Sequence, residues 1–494
     1  MNKIDLRGLN DSVLPLSVFA AVFFLLLIGL VDHKGMWYGA VAVIPFLFFI
    51  SRNKFKKVAL TLVAILPIST YGFVPRYGYR LFDMLALGLI LVFLYFNSGK
   101  KQYYKTPLTF PLLLMFLTMV ISSVVAPNIG FAVPIIVTCL LFYFSAKSIG
   151  FFIADEDGIV AILYCLMVPF LVSSILGVYQ SIFGVYSARL VEAFNPNVVT
   201  AEFFRAPGPL DNSLSFGQYL SVMSSFFVGI VLAGLRYRLK KKILLILAGL
   251  AIFGGAAGLV GSLSRAAIIS LVIVFPVSFL ILYRSKGMLT VSLVVVAVVV
   301  FQDSIVRGIV SDPVAQRFLT AQSDFERGRL VLYENAFRKF LDNPILGVGT
   351  GNLNYASGFA DPSQRMVPGG HVESVYVSYL VSNGILGIAA LMYLILRTIT
   401  LSFNLYRETS DPFLKSVSFG LFAAFTSNAV NMTTNPASLP GKMGDFDLTN
   451  FFMFWVFIAL LMLIWSRSRI VPGHKVSGET GRGGVIYPQD VQNG

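Results

Sequence analysis

The chain has 494 residues, of which 56% are hydrophobic and only 13% are charged, and its formal net charge is +14. Soluble globular proteins carry roughly 25% charged residues. The composition therefore excludes a water-soluble fold and predicts a chain embedded in a lipid bilayer. A strongly positive charge can indicate nucleic-acid binding, but here the lysines and arginines cluster in short loops between apolar runs, which is typical of membrane topology signals. We therefore predict no nucleic-acid partner.

Apolar runs follow one another along the chain. A membrane-spanning helix needs roughly 17–25 apolar residues, and by this measure the sequence predicts about fourteen spans. Their approximate ranges are 14–31, 37–50, 58–74, 81–96, 107–125, 131–153, 158–184, 214–235, 243–261, 266–283, 288–303, 373–396, 414–431 and 450–466. The predicted fold is an all-α, polytopic transmembrane helix bundle with one large extracytoplasmic loop that contains an amphipathic helix.

The distribution of basic residues predicts the topology. Basic clusters follow the second, fourth, eighth and tenth spans, at residues 52–57, 100–105, 236–242 and 284–286, whereas the loop 126–130 has no charge. Because basic loops stay in the cytoplasm, both termini of this multi-pass protein are predicted to be cytoplasmic. The chain is thereby divided into eleven spans (1–303), the large extracytoplasmic loop (304–372), three further spans (373–470) and a disordered cytoplasmic tail (471–494).

The large loop contains a segment with helical periodicity, ERGRLVLYENAFRKFLD (326–342). Its apolar residues recur at helical spacing, and they are Leu330, Tyr333, Phe337, Phe340 and Leu341. The opposite face carries Arg327, Glu334, Arg338 and Asp342. Asn343-Pro344 is predicted to end the helix, because the residue before a proline is disfavoured in helical geometry.

Arg329 does not lie with the other charges of this helix. It is four, seven and eleven residues before Tyr333, Ala336 and Phe340, so it shares their stripe. A charge on an apolar stripe is costly unless an anion meets it. Two interpretations remain open: Arg329 extends along the helix start to reach water, or it is an anion ligand close to the membrane surface.

Two further features lie between this helix and the next span. Gly347, Gly349 and Gly351 alternate in ILGVGTGN and permit a close backbone approach, although a phosphate-binding loop would need more of its pattern. His371 is suited to proton transfer near neutral pH, and Glu373 could orient it; the alternative is an ordinary interfacial histidine. We predict no metal site, because this loop lacks a second histidine and an acidic cluster.

Two other arginines are predicted on the same side of the membrane. Arg205 lies in FRAPG before the eighth span, and Arg265 lies in SLSRA between the ninth and tenth spans. Charges at or near membrane depth are costly and usually functional. Together with Arg329 these arginines could bind a diphosphate, since guanidinium groups bind phosphate oxygens in a bidentate manner.

Four segments of the chain resemble the O-antigen ligase and Wzy-type polysaccharide polymerase superfamily of bacterial envelope glycosyltransferases. They are FRAPGPLDNSLSFGQYL (204–220), GSLSRAA (261–267), GRLVLYENAFRKFLDNPILGVGTGN (328–352) and HVESVYVSYLVSNGILG (371–387). The last two are the more specific, and the resemblance covers roughly the second half of the chain. The chain departs from the family where Tyr333 follows Arg329 in place of a tryptophan-like residue, and in its larger number of predicted spans.

The resemblance implies a metal-independent, inverting glycosyltransferase, without a cofactor, that uses an undecaprenyl-diphosphate-linked glycan on the periplasmic side. Arg205, Arg265 and Arg329 would bind the substrate diphosphate. His371 would be the catalytic base, assisted by Glu373. The length and the number of spans favour a polymerase of O-antigen or exopolysaccharide repeat units, which would work with a chain-length regulator and a flippase.

Three alternatives are weighed against this hypothesis. An O-antigen ligase would transfer the same lipid-linked glycan to lipid A-core, and only the acceptor would differ. A polysaccharide flippase or transporter usually places ionisable residues in the middle of its spans, and such residues are scarce here. A structural membrane scaffold would not need arginine on an apolar stripe.

Overall fold

The computed structural model describes residues 15–17, 54–68, 86, 90, 106–153, 155–183, 206–210, 213–262, 264–284, 333–353, 374–433 and 448–470. All regular elements in these ranges are helices. In chain order they are α1 (Lys54–Ala64), a 3-10 turn (Leu66–Ile68), α2 (Thr109–Val124), α3 (Ile129–Phe152), α4 (Glu156–Phe183), α5 (Ser213–Arg236), α6 (Lys242–Ser262), α7 (Arg265–Tyr283), α8 (333–342), α9 (Val375–Glu408), α10 (Pro412–Asn431) and α11 (Leu448–Ile470).

The described helices confirm an all-α membrane protein. Eight of them are long and apolar enough to cross a membrane, and the apolar helix α2 is shorter, at 16 residues. They coincide closely with eight of the predicted spans, and α9 coincides with the twelfth at its start. The first, second, fourth and eleventh predicted spans lie outside the described residues, apart from residues 15–17, 86 and 90. Most of the large loop also lies outside them. The total of fourteen therefore stays a prediction.

Two predicted spans differ from the helices that form. The third, predicted at 58–74, begins earlier, as α1 at Lys54, and this helix ends at Ala64 before the turn that contains Pro67. Proline lacks the amide that would continue a helix, which accounts for the early end. The twelfth, predicted to end at residue 396, continues as α9 to Glu408, because Leu401, Leu405 and Tyr406 are buried on one side of its charged last turns.

The bundle has two distinct ends. The start of α11 bonds to the start of α5, where Asn450 Nδ2 donates to the Ser215 carbonyl at 2.8 Å. The start of α9 bonds to the end of α10, where the Val375 amide donates to the Met432 carbonyl at 3.0 Å. We call this the site end. The opposite end carries the basic loops and the ion pair between Lys56 and Asp155, and we call it the basic end.

The helices alternate in direction between these ends, with two exceptions. Helices α1 and α2 both run toward the site end, and α7 and α9 both run toward the basic end. The predicted spans 81–96 and 288–303 fall in the two corresponding intervals of the sequence. Strict alternation requires one more membrane crossing in each interval, although both spans stay predictions.

Helix α5 occupies the centre of the bundle, where it packs against α6, α7 and α10. Its crossing with α10 depends on glycine. A side chain added at Gly229 would come within 2.7 Å of the Gly420 Cα atom and 2.9 Å of the Phe419 carbonyl oxygen. Small residues let two membrane helices approach until their backbones touch, so this glycine pair sets the separation of α5 and α10.

We predict that Gly229→Leu destabilises the protein by about 3 kcal/mol, because a leucine side chain forces two packed backbones apart. Gly249→Leu is the matched control, since no atom lies within 4 Å of a side chain added there. Thermal denaturation of the two purified variants in detergent measures the difference. Equal melting temperatures would contradict the assigned helix crossing.

Candidate functional site

The chain segments that carry Arg205 and Arg265 meet at the site end. The amide of Ala206, the residue after Arg205, donates to the Gly261 carbonyl at 3.0 Å. Gly261 lies in the last turn of α6, and Arg265 is the first residue of α7. Two segments about sixty residues apart in sequence are therefore joined by a backbone hydrogen bond.

The turn after Ala206 is also attached to α4. The buried amide of Gln180 accepts from the Gly208 N–H at 2.8 Å and donates to the Gly208 carbonyl at 3.1 Å. Gly208 has a φ of +59°, and a side chain there would collide with the Phe216 ring. A polar residue in a membrane helix thus has a structural use, as the satisfied partner of a backbone turn.

The amino terminus of α7 lacks a side-chain cap. Its N-cap residue, Ser264, makes no side-chain hydrogen bond to the first turn. The unsatisfied amides and the dipole of a helix amino terminus attract anions, and Arg265 adds a full positive charge at this position. Helices α5, α9 and α11 also begin at this end, and the first turns of all four lack acidic residues.

A layer of buried, uncharged polar side chains lies below this end of the bundle. It comprises Ser221, Gln218, Ser270, Ser427, Asn428, Asn431 and Asn450. Gln218 Nε2 donates to Asn428 Oδ1 at 3.0 Å, and Asn431 Nδ2 donates to Ser221 Oγ at 2.9 Å. The hydroxyls of Ser270 and Ser427 are 2.7 Å apart. We call these residues the amide layer.

The amide layer couples the segments of the site. One to two turns inside their starts, α5 and α7 are joined by it to the last turns of α10, and Asn450 joins the start of α11 to α5. Met432, directly after α10, accepts the Val375 amide. None of these residues was predicted from the sequence to belong to the site. The sequence nevertheless contains a signal for them. Asn and Gln recur one to two helical turns inside those ends of the apolar spans that meet at the site end. A buried side-chain amide there is costly unless it is hydrogen-bonded.

Helix α8 packs against the start of α9 and forms a cavity of about 360 Å³. The cavity is lined by Tyr333, Phe337, Phe340, Ser374, Val377, Leu380, Val381 and Thr433. Ser374 caps α9 by accepting from the Val377 amide at 3.4 Å. Two predicted site residues lie close in sequence to the residues that line this cavity: Arg329 is four residues before Tyr333, and His371 is three residues before Ser374.

The structure tests the predicted faces of α8. Tyr333, Ala336 and Phe340 form the face that packs into the protein, and this is the stripe that Arg329 shares in sequence. The polar face is also confirmed: Glu334 and Arg338 form an exposed ion pair at 2.6 Å, and the helix ends before Asn343. Phe337 and Leu341, which belong to the same apolar stripe, are 55% and 58% exposed. They lie at the edge of the buried stripe. The spacing of apolar residues does not show which of them contact protein and which stay exposed.

The predicted site residues are described only in part. Arg205, Arg329, His371 and Glu373 lie outside the described residues, and for Arg265 the backbone alone is described, at the start of α7. Their roles stay predictions. Among the described residues, no group of three His, Cys, Asp or Glu side chains could hold a metal ion.

The glycine-rich segment 347–352 binds another part of the chain. Helix α9 is interrupted at Gly384, whose φ is +65°. The amides of Val348 and Gly349 donate to the carbonyls of Val381 and Ser382 at 2.9 and 3.0 Å. These two amides therefore bind carbonyls of the same chain and are not free to bind phosphate.

Side chains complete this contact, which we call the glycine clamp. Thr350 Oγ1 donates to Asn383 Oδ1 at 2.6 Å. Asn352 is fully buried and pairs with the backbone of Asn128, whose amide donates to Asn352 Oδ1 at 3.1 Å and whose carbonyl accepts from Asn352 Nδ2 at 3.0 Å. The two motifs that carry the family resemblance most specifically, NPILGVGTGN and NGILG, thus contact each other.

Comparison with known families agrees with the resemblance seen in these motifs. Residues 250–392 match the Wzy_C family model, which is described as O-Antigen ligase. A search of curated proteins found no significant match. The matched range begins within α6 and includes α7, α8, the glycine clamp and the first half of α9. The match confirms the resemblance to the O-antigen ligase and Wzy superfamily, and with the apolar helices it indicates a multi-pass membrane enzyme of the ligase or polymerase type.

We predict that Asn352→Asp destabilises the clamp by at least about 2 kcal/mol, because a carboxylate would face the Asn128 and Thr350 carbonyl oxygens that now accept from Nδ2. Asn404→Asp, at an exposed position of α9, is the matched control. The melting temperature of each purified variant is the measurement. If Asn352→Asp and the control have the same melting temperature, the clamp does not stabilise the interrupted helix.

Proposed function

We propose that this chain, with its O-Antigen ligase match at residues 250–392, polymerises undecaprenyl-diphosphate-linked oligosaccharide repeat units. The product is an O-antigen or an exopolysaccharide, and the reaction takes place on the periplasmic side of the inner membrane. The site end of the bundle faces the periplasm in this proposal, because the basic loops lie at the opposite end.

The observation that carries the proposal is Arg265 at the uncapped amino terminus of α7, beside the segment that follows Arg205. Open amides, a helix dipole and guanidinium groups are all suited to bind phosphate oxygens. The residues just before α7, Ser262 to Ser264, are neutral or apolar. A diphosphate would therefore meet no opposing negative charge from that direction.

The reaction requires one proton transfer and one substitution at the anomeric carbon of the donor sugar. His371 takes the proton of the acceptor hydroxyl, and Glu373 orients the imidazole or assists it. The acceptor oxygen attacks the anomeric carbon of the donor sugar and forms the new glycosidic bond. The bond from that carbon to the diphosphate oxygen breaks, and the diphosphate leaves with the electron pair. Attack from the opposite face inverts the anomeric configuration.

The arginines stabilise the leaving group in this scheme. Negative charge accumulates on the diphosphate as the bond breaks, and positive groups held in place before the reaction lower the barrier. Arg205, Arg265 and Arg329 supply that charge, which makes a divalent cation unnecessary for the proposed reaction. The cavity between α8 and α9 lies between the segments that lead to Arg329 and to His371.

A ligase is the second candidate, because the matching family model carries that description. It would use the same donor and the same arginines, with lipid A-core as its acceptor. The glycan profile of a deletion strain distinguishes the two. Loss of a polymerase leaves single repeat units, whereas loss of a ligase leaves full-length polymer on the lipid carrier.

We predict that Arg329→Ala fails to restore polymer in the deletion strain, because the leaving diphosphate loses a cation. Arg338→Ala is the control on the same helix, since Arg338 is exposed and paired with Glu334. Gel analysis of the glycan measures chain length, and immunoblotting measures the amount of each variant. Polymer of normal length with Arg329→Ala would refute the diphosphate assignment.

We predict that His371→Ala lowers kcat by about 100-fold or more, the usual contribution of a general base. The KM for the lipid-linked donor should change little, because the base acts on the acceptor. His474→Ala, in the tail, is the control. Turnover and donor binding are measured with purified protein and a lipid-linked donor, and an equal loss of both would show that His371 binds donor and is not the base.

A further inference from the structure

Three helices carry a Tyr-Arg pair at the basic end of the bundle. Tyr237-Arg238 follows α5, Tyr283-Arg284 ends α7, and Tyr406-Arg407 lies in the last turn of α9. The three tyrosines pack into one side-chain cluster around Leu282 and Phe419. We call the three pairs, with Arg236 and Lys415, the Tyr-Arg cluster. It lies at the opposite end of the helices from the site proposed for glycosyl transfer.

The tyrosine rings hold cations in place. Lys415 Nζ, at the start of α10, lies 4.7 Å from the Tyr237 ring centroid and 5.6 Å from that of Tyr406. The two phenol oxygens are 2.9 Å apart. The Arg236 guanidinium lies 6.0 Å from the Tyr283 ring. Cation–π attraction therefore gathers positive charge between the ends of four helices.

These cations are not neutralised by acidic residues. Within the described part of the chain no ion pair is formed by Arg236, Arg238, Arg284, Arg407 or Lys415. The acids on the same helix ends are Glu408 and Asp411, and the Asp411 carboxylate caps α10 by accepting from the Leu414 amide at 2.8 Å. Elsewhere at the basic end, Lys56 and Lys241 pair with Asp155 and Glu156. The Tyr-Arg cluster therefore carries a local excess of positive charge.

Two of the arginines hold a backbone conformation that glycine adopts more easily. Arg238 and Arg284 have φ values of 55° and 54°, and they are the two non-glycine residues with positive φ among the described residues. Such conformations cost on the order of 1–3 kcal/mol each, and glycine is the usual residue where a helix ends this way. Arginine at both positions indicates that the guanidinium groups have a use of their own.

We propose that the Tyr-Arg cluster binds the phosphate group of an anionic phospholipid in the leaflet at the basic end. Guanidinium groups bind phosphate oxygens in a bidentate manner, and basic pockets between membrane helices at the cytoplasmic surface bind lipid headgroups. Tyrosine rings are favoured at headgroup depth. Exposed apolar side chains continue the surface toward the membrane centre, with Leu280 one turn and Val277 two turns before Arg284. A lipid would contact both the cationic cluster and this apolar surface, whereas free phosphate would contact only the cationic cluster.

The test compares two double variants of the full-length protein in nanodiscs. Arg238→Gly with Arg284→Gly removes both guanidinium groups and relieves the positive φ values, so in neutral lipid this variant should melt no lower than the wild type. Lys240→Gly with Lys242→Gly removes the same charge from the same end, outside the cluster. Phosphatidylglycerol binding, titrated against a phosphatidylcholine background, should weaken about tenfold in the arginine variant and little in the lysine variant.

Two results would overturn the proposal. Equal weakening in both double variants would mean that charge spread over the surface attracts the lipid. A wild-type protein in detergent that is stabilised as much by inorganic phosphate as by short-chain phosphatidylglycerol would show that the ligand is a phosphate from solution. Retained selectivity for phosphatidylglycerol over inorganic phosphate supports the lipid assignment.

Discussion

A helix interrupted at membrane depth leaves backbone carbonyls without partners, and each costs several kcal/mol in lipid. Helix α9 tolerates its break at Gly384 because the glycine clamp supplies the missing donors, with Val348 and Gly349 donating to Val381 and Ser382. The Ser122 hydroxyl also donates to the Ser382 carbonyl, at 2.7 Å. The first half of α9 leads back in sequence to His371, and α8 leads back to Arg329. The clamp therefore joins the two segments that lead to the proposed site residues.

The buried polar side chains in the described part of the bundle are uncharged, with Lys147 near the end of α3 as the exception. The amide layer joins four helices through hydrogen bonds in which Gln218, Asn431 and Asn450 each donate. The other charges of the described helices lie toward the two ends, with the basic loops at one end and the proposed diphosphate site at the other. This arrangement fits an enzyme that works at a membrane surface. A transporter that moves ions would instead need ionisable groups at the midplane.

The two ends of α7 use arginine in different ways. At its start, Arg265 stands at an uncapped amino terminus, where the helix dipole adds to its charge. At its end, Arg284 stands beside Tyr283 in a conformation that glycine would adopt at less cost. One helix thus connects the proposed catalytic end with the proposed lipid-binding end, and two phosphate-bearing ligands of different membrane leaflets are proposed at opposite ends of the same bundle.

The sequence by itself determined the membrane class, nine helix positions, the buried stripe of α8 and the family resemblance. These properties depend on hydropathy and local spacing, which one segment can express alone. Tertiary structure decided what lies between segments: the pairing of the glycine motif with the broken α9, the amide layer and the exposure of Phe337. It also joined the segment after Arg205 to the turn before Arg265. Contacts between residues far apart in the chain depend on how helices pack, and neither the periodicity nor the composition of one segment records its partner.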